Sequence, residues 1–272
     1  MNQIFKSGIL LLLTLFLCSD LIAQDEQWRK WNNEAFAPGE VLKYRFYYDA
    51  WLTGKITAGT GTLEVKTTNR KFYGREVWHI DTEGNSKGMF NWFFKVKDEF
   101  DSYIDVESVA PHYFERKTRE GGYKKFDEYR FNHQEEYVMT RSDTMKIPRY
   151  TQDFVSAIYF ARTFSSDTLK VGDMIPVYFF LDDSVYNSAI LFDGRENIEI
   201  ELGTFRCLKF RPGMATGEVF ADKYPMEMWV TDDKNHLPIL IKSAVIVGNV
   251  KAELMEYSGL ANPLTSLIQQ AD

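Results

Sequence analysis

The sequence of 272 residues predicts a mainly β protein, in which a long antiparallel meander forms a curled, incompletely closed barrel or half-barrel. Three features predict this fold. Apolar residues alternate with polar residues along roughly a dozen segments, turn-forming residues separate these segments at short intervals, and 15% of the residues are aromatic. So many strands must split into a sandwich or curl towards a barrel to hide their edges. Because only one helix has a clear pattern, we favour the curled sheet and keep a two-sheet sandwich as the alternative.

The composition is that of an ordinary globular protein. The chain is 44% hydrophobic and 26% charged, and these fractions exclude wholesale disorder. The net charge of −7 argues against a surface for nucleic acid or anionic lipid, because both need a basic patch.

Residues 1–23 are predicted to be a secretory signal peptide. An apolar stretch over 8–17 follows a weakly basic start, and Ala23 offers a small residue at the cleavage point. The stretch is too short for a permanent membrane span, so no integral span is predicted. We therefore expect an exported protein, located in the periplasm. The alternative is an outer-membrane lipoprotein anchored through Cys18, although Leu17 fits that type of signal poorly.

Cleavage of this signal would leave Cys207 as the sole cysteine of the mature chain. A single thiol cannot form an internal disulfide. No histidine or acid lies beside Cys207 in the sequence to lower its pKa, so we interpret it as a structural, half-buried cysteine.

The predicted strands begin just after residue 40. Alternation places four apolar residues of the first strand on one face: Leu42, Tyr44, Phe46 and Tyr48. The pair Gly121-Gly122 predicts a tight hairpin later in the chain. We divide the mature chain into a lead-in over 24–35, for which a short helix over 25–36 is one reading, a single β-rich domain over 36–258, and a carboxy-terminal tail over 259–272.

The clear helix pattern covers residues 151–164, with Thr151 or Asp153 as its cap. Its predicted core-facing stripe is apolar: Phe154, Ala157, Ile158 and Ala161. Polar residues recur beside this stripe at three-residue spacing: Asp153, Ser156, Tyr159 and Arg162. We interpret these polar residues as structural, with Asp153 or Tyr159 as the partner through which Arg162 anchors the helix to the sheet.

The sequence contains no recognisable catalytic, cofactor or metal motif. Its four histidines are too far apart for a zinc site: His79, His112, His133 and His236. Nucleophile-elbow, P-loop and dinucleotide patterns are also missing. The pair Asp232-Asp233 lacks the spacing of a calcium loop and predicts a turn. We therefore predict no cofactor, no metal and no enzymatic activity.

The densest aromatic cluster outside the signal lies over residues 89–94, after a flexible stretch, 84–88. One reading makes it the core-facing start of a strand. The other makes it an exposed apolar surface for an acyl chain or a partner. In that reading the candidate ligand-binding residues are Phe90, Trp92, Phe93 and Phe94.

Several blocks together resemble a widespread family of exported bacterial proteins, domain of unknown function 3108 (DUF3108). The resemblance covers residues 36–257, and its blocks include Gly39, Glu40, Asp153, Ser156, Tyr159, Arg162, Trp229, Asp232 and Asp233. It implies an envelope protein without established activity, so no catalytic residues carry over. The strand pattern looks like the curved, incompletely closed sheets of periplasmic lipoprotein carriers, which is an analogy of fold alone.

Our first hypothesis is a non-enzymatic periplasmic protein that binds a lipid, a lipidated peptide or another apolar molecule in an aromatic-lined cavity. The second is an envelope scaffold that binds another protein through its acidic exterior or the 89–94 cluster. The third is a glycan hydrolase with two sheet carboxylates, although the sequence offers no specific pair.

Overall fold

The protein is represented by a computed structural model that describes these residues: 28–50, 54–213, 226–244 and 249–270. The candidate signal peptide, 1–23, lies outside them, and so does Cys18. Contacts divide the chain into two units, 1–30 and 31–272, and the fold described here is that of the second.

The described residues contain fifteen strands and two helices. The strands are β1 (Val41–Ala50), β2 (Gly54–Phe72), β3 (Arg75–Ser86), β4 (Lys97–Asp105), β5 (Pro111–Glu120), β6 (Tyr123–Asn132), β7 (Tyr137–Met139), β8 (Thr144–Lys146), β9 (Met174–Leu181), β10 (Ser184–Ile200), β11 (Gly203–Pro212), β12 (Met226–Thr231), β13 (Pro238–Ala244), β14 (Asn249–Ser258) and β15 (Leu267–Gln270). The helices are α1 (Gly88–Phe93) and α2 (Phe154–Arg162).

The strands form one antiparallel sheet that does not close. Its order is β8-β7-β6-β5-β4-β3-β2-β1-β14-β13-β12-β11-β10-β9, and β15 pairs with β11. Two meanders, β1 to β8 and β9 to β14, are therefore joined where β1 pairs with β14. The predicted fold class, a long antiparallel meander in an open, barrel-like sheet, is confirmed.

Within the described residues, one bridge and a few side chains link β9, at one end of the sheet, to β6 and to the segment that follows β8, near the other end. Gln152, between β8 and α2, forms a parallel bridge with Phe179 of β9. The ring of Phe180, the next residue in β9, lies 4.9 Å from the ring of Tyr129 in β6. At the β9–β10 turn, Asp182 accepts a hydrogen bond of 2.6 Å from Lys125 of β6. The sheet therefore curls until its ends meet without forming a continuous ladder.

Asp153 begins helix α2 with a capping box. Its side chain accepts hydrogen bonds of 2.8 Å from the amides of Val155 and Ser156, and Ser156 accepts one of 2.8 Å from the Asp153 amide. The buried Ser102 hydroxyl of β4 donates a further bond of 2.6 Å to Asp153. The same carboxylate thus caps the helix and ties it to the sheet.

The predicted apolar stripe of α2 is not its buried face. The buried residues are Val155, Ser156, Tyr159, Phe160 and Arg162, whereas Phe154 is 46% exposed. The polar side of the helix turns inward because Asp153, Ser156 and Arg162 find hydrogen-bond partners there. The ring of Tyr159 packs edge to face on that of Phe36, 4.8 Å away.

Arg162 is the centre of this buried polar face. Its guanidinium donates two hydrogen bonds to Glu40, at 2.6 and 2.7 Å, and a third of 3.1 Å to the carbonyl of Asn235. It also lies over the rings of Phe36 and Tyr159, at 5.4 and 5.1 Å. Side chains of Arg162 and Glu40 are 2% and 0% exposed. Burial opposes the charge of Arg162, but Glu40 raises the pKa of the guanidinium above its ordinary value, so Arg162 is charged.

Three local expectations differ from the structure. Residues 28–36 are not helical, and 24–27 lie outside the described residues. The cluster over 89–94 forms most of α1 rather than the start of a strand, since β4 begins only at Lys97. The segment expected as a tail, 259–272, contributes β15 to the sheet.

The Glu40–Arg162 pair yields a stability prediction. Glu40→Gln and Arg162→Met should each lower the free energy of unfolding by about 3–5 kcal/mol, because each leaves the other polar group buried without its partner. Urea denaturation measures both. The double variant should lose less than the sum of the two single variants.

The matched control is Lys43→Gln, which removes an exposed ion pair to Glu256 and should cost less than about 1 kcal/mol. Equal losses for the buried and the exposed pair would contradict the prediction.

Asp153 yields a second prediction. Burial raises its pKa to about 6, against 3.8 for an ordinary aspartate, although its hydrogen bonds act in the opposite direction. The folded protein therefore binds more protons than the unfolded chain between these values, and Asp153 makes stability fall as the pH rises from about 4 to 6. Asp153→Asn keeps a good cap and should gain stability relative to the wild type across this window, by up to about 3 kcal/mol. Urea denaturation at several pH values measures the difference, and parallel pH profiles would contradict it.

Candidate ligand-binding cavity

An apolar cavity of about 440 Å³ lies between helix α2 and the concave face of the sheet. Strands β1 to β4, β13 and β14 all contribute to its wall. Its large apolar lining residues include Tyr44, Phe46, Leu63, Phe100 and Ile241. Three of its lining residues are exposed, Glu83 in β3, Phe94 in the β3–β4 connection and Phe154 at the start of α2, so the cavity opens to solvent beside them.

Glycines in register create the space under the helix. Gly61 of β2 pairs with Tyr44 on one side and with Gly84 of β3 on the other. A Cβ atom at Gly61 would lie 2.9 Å from the ring of Phe46, whereas one at Gly84 would meet only the Cβ of Asp98, at 4.0 Å. Gly61 thus lets an aromatic ring pack against the strand, and Gly84 leaves open room that belongs to the cavity.

Helix α2 supplies the opposite wall. Phe154, Val155 and Ile158 line the cavity, and the ring of Phe154 lies 6.0 Å from that of Phe100. The apolar stripe that the sequence assigns to the core therefore borders an open space. A half-exposed apolar helix face over such a space is a surface on which an apolar ligand can lie.

The candidate aromatic cluster borders the mouth of the cavity. Phe94 lines it and is 50% exposed. Its ring packs so closely on Gly121 that a side chain there would stand 3.0 Å from it. Trp92, on α1, is 79% exposed and is not among the lining residues. The side chains of Phe90 and Phe93 lie outside the described part of the chain.

The polar groups of the cavity are mostly at the same end. Asp98 lines it and accepts a hydrogen bond of 2.9 Å from the amide of Arg119. Burial and the neighbouring Asp98 raise the pKa of Glu120. The buried hydroxyl of Thr82 has no hydrogen-bond partner among the described residues. No lysine or arginine of the described chain lines the cavity.

The other predicted motif residues lie away from the cavity. Gly39 adopts a φ of 100° directly before Glu40. Trp229 is buried and donates a hydrogen bond of 2.6 Å to Glu196. Asp232 lies 3.5 Å from the guanidinium of Arg195.

Asp233 organises the turn after β12. Its carboxylate accepts hydrogen bonds of 3.0 Å from the hydroxyl of Thr231 and from the amide of Asn235. A third bond, of 3.1 Å, comes from the amide of Ser266. Asp233 therefore holds the turn to the carboxy-terminal segment.

Reactive side chains of the described residues have structural partners. Cys207 is buried, and burial raises the pKa of its thiol to about 12, so little thiolate forms near neutral pH. His79 lies 2.6 Å from a carboxylate oxygen of Asp101 and stacks on Tyr103. Within the described residues, no group of three or more His, Cys, Asp or Glu side chains could hold a metal ion.

Sequence reasoning identified Phe94 but not the rest of the cavity wall. The missed residues are small ones, Gly61 and Gly84, and large ones on two other strands, Phe46 of β1 and Ile241 of β13. A possible signal was the recurrence of glycine at alternate positions within β2. Its meaning depends on the register with β3, which no local pattern reveals.

Comparison with solved structures supports the fold. A β-barrel-like protein of domain of unknown function DUF1849 from Brucella abortus is similar with a TM-score of 0.54 and 9% identity, over 80% of this chain and 96% of that chain. A Bacteroides fragilis protein with a YmcC-like fold has 10% identity and a TM-score of 0.31, over 86% of this chain and 100% of that one. At that TM-score the second similarity does not support a shared fold.

Comparison with sequences gives one family. The model of DUF3108, described as a protein of unknown function, matches residues 43–255. No curated protein matches significantly. Among the helices that the structure describes, none is long and apolar enough to span a bilayer.

Proposed function

The chain belongs to the DUF3108 family of proteins of unknown function, and from its geometry we propose that it binds an apolar ligand, such as an acyl chain, in the cavity under α2. The observation that carries the proposal is the half-exposed apolar face of α2, which lies over an open space lined by aromatic and aliphatic side chains. The proposed role is binding rather than catalysis.

The size and lining of the cavity support this proposal. A volume of about 440 Å³ falls within the range of small-molecule sites, roughly 300–1,000 Å³, which are mostly apolar with a few polar groups. Each buried methylene contributes about 0.8 kcal/mol, so a medium-length acyl chain would bind usefully. The polar groups at one end, Asp98 and Thr82, are available to a polar end of the ligand.

We further propose that the protein acts outside the cytoplasm, in the periplasm. The support is the predicted signal peptide over 1–23, with its apolar stretch over 8–17. The ligand would then be a component of the cell envelope, where acyl chains are abundant.

The test uses the purified protein and N-phenyl-1-naphthylamine, a probe whose fluorescence rises in apolar sites. The wild type should bind the probe saturably. Gly84→Leu should weaken binding by about tenfold or more, because the new side chain occupies the cavity and replaces apolar contacts of the ligand. The open space at Gly84 lets this variant fold, which circular dichroism and thermal unfolding would verify.

The matched control is Thr62→Leu, the same new side chain one residue beyond Gly61 and on the opposite face of β2. It should bind like the wild type. No saturable binding by the wild type, or equal binding by folded Gly84→Leu, would overturn the proposed function.

A further inference from the structure

Two connections form one continuous edge beside the mouth of the cavity. The first, 87–95, contains α1, and the second, 119–124, is the tip of the β5–β6 hairpin. The amide of Gly121 donates a hydrogen bond of 2.7 Å to the carbonyl of Lys95, and Val96 forms a bridge with Glu120. We name the residues 87–95 and 119–124 the lip.

The lip exposes large aromatic side chains. Trp92 is 79% exposed, Tyr123 55% and Phe94 50%. Such a concentration is unusual for a solvent-facing edge, because burial of aromatic surface is strongly favourable. Tyrosine and tryptophan are also the side chains that concentrate at membrane–water interfaces, where an apolar ring and a polar group are accommodated together.

The lip is also basic, although the protein is acidic. Four exposed cationic residues lie in it: Lys87, Lys95, Arg119 and Lys124. Its one acidic residue is Glu120, whose neighbour Asp98 faces the cavity. Arg119 and Lys124 are direct cross-strand partners, and like charges in that position repel each other. An anionic surface would relieve this repulsion.

We propose that the lip docks onto an anionic lipid surface, with its aromatic side chains at the interface and its lysines and arginine over the lipid headgroups. The proposal rests on the proposed function, since it gives the apolar ligand a route between the bilayer and the cavity behind Phe94. The net charge of −7 describes the whole chain, whereas docking depends on charge within a Debye length of the membrane, about 8–10 Å.

The chemistry favours a lipid surface over a protein partner. Lysine and arginine near an anionic bilayer each add attraction that does not need a defined geometry, and the four cations of the lip lie on two separate connections. The cavity opens beside the same edge and is itself lined by apolar side chains. A lipid surface accounts for the charge, the aromatic exposure and the position of the mouth together.

The test is co-sedimentation of the purified protein with vesicles of phosphatidylglycerol and phosphatidylcholine, and with vesicles of phosphatidylcholine alone. The wild type should partition preferentially onto the anionic vesicles, and the preference should vanish at about 1 M salt. The double variant Lys87→Glu/Lys95→Glu should lose roughly tenfold or more in partitioning. Trp92→Ala should weaken binding to a smaller extent.

The matched control is Lys146→Glu/Lys170→Glu, which changes the net charge equally at two exposed residues outside the lip and should bind like the wild type. Because all variants share the apolar segment 8–17, the comparison isolates the lip. Partitioning of Lys87→Glu/Lys95→Glu onto anionic vesicles equal to that of the wild type, or an equal loss in the control variant, would overturn docking through the lip.

Probe binding separates this proposal from the proposed function. The variant Lys87→Glu/Lys95→Glu should bind N-phenyl-1-naphthylamine in solution as the wild type does. Saturable probe binding without a preference for anionic vesicles would overturn docking alone. Docking that depends on the lip, without any probe binding by the wild type, would overturn the cavity function and leave docking supported.

Discussion

The buried ion pair between Arg162 and Glu40 determines how the helix lies on the sheet. A guanidinium with such low exposure needs a carboxylate and further acceptors, and it finds them in Glu40 and the carbonyl of Asn235. To reach these partners, α2 lies with its polar residues towards the sheet. The apolar residues Phe154 and Ile158 are consequently left facing the space above β1 to β4. The apolar side of α2 therefore borders the cavity because the Arg162–Glu40 pair orients the helix. A helix buried on its apolar stripe would have closed the cavity.

The aromatic residues serve two separate purposes in this arrangement. Where β5, β6 and β9 approach one another, rings such as Phe114, Tyr129 and Phe180 pack edge to face or stacked and fill the interior. Near β1 to β4, glycines face the interior instead, and the rings of Phe46 and Phe100 border a space. One curved sheet therefore holds both a packed core and a cavity, and the difference lies in the size of the residues on its inner face.

Local patterns predicted much of the fold, whereas the site depended on distant pairings. Alternation along β1 and the glycine turn after β5 are decided by neighbouring residues, so the meander and its open, curled form could be predicted. The partner of Arg162 could not, since Glu40 lies 122 residues earlier in the chain. The cavity depends on the register that places Gly61 beside Gly84. Helix α1 was missed because six residues are too few to display helical periodicity.

The pairing of β1 with β14 also bears on the order in which the chain can fold. Val41 pairs with Ser258, so the first long strand meets its second neighbour only after nearly the whole polypeptide is available. Contacts so far apart in sequence are slow to form, because a long loop must be ordered first. Each meander can assemble from consecutive hairpins, but the junction that unites them cannot form before β14 is available. The strands near the amino terminus therefore remain an incomplete sheet until those near the carboxy terminus are available.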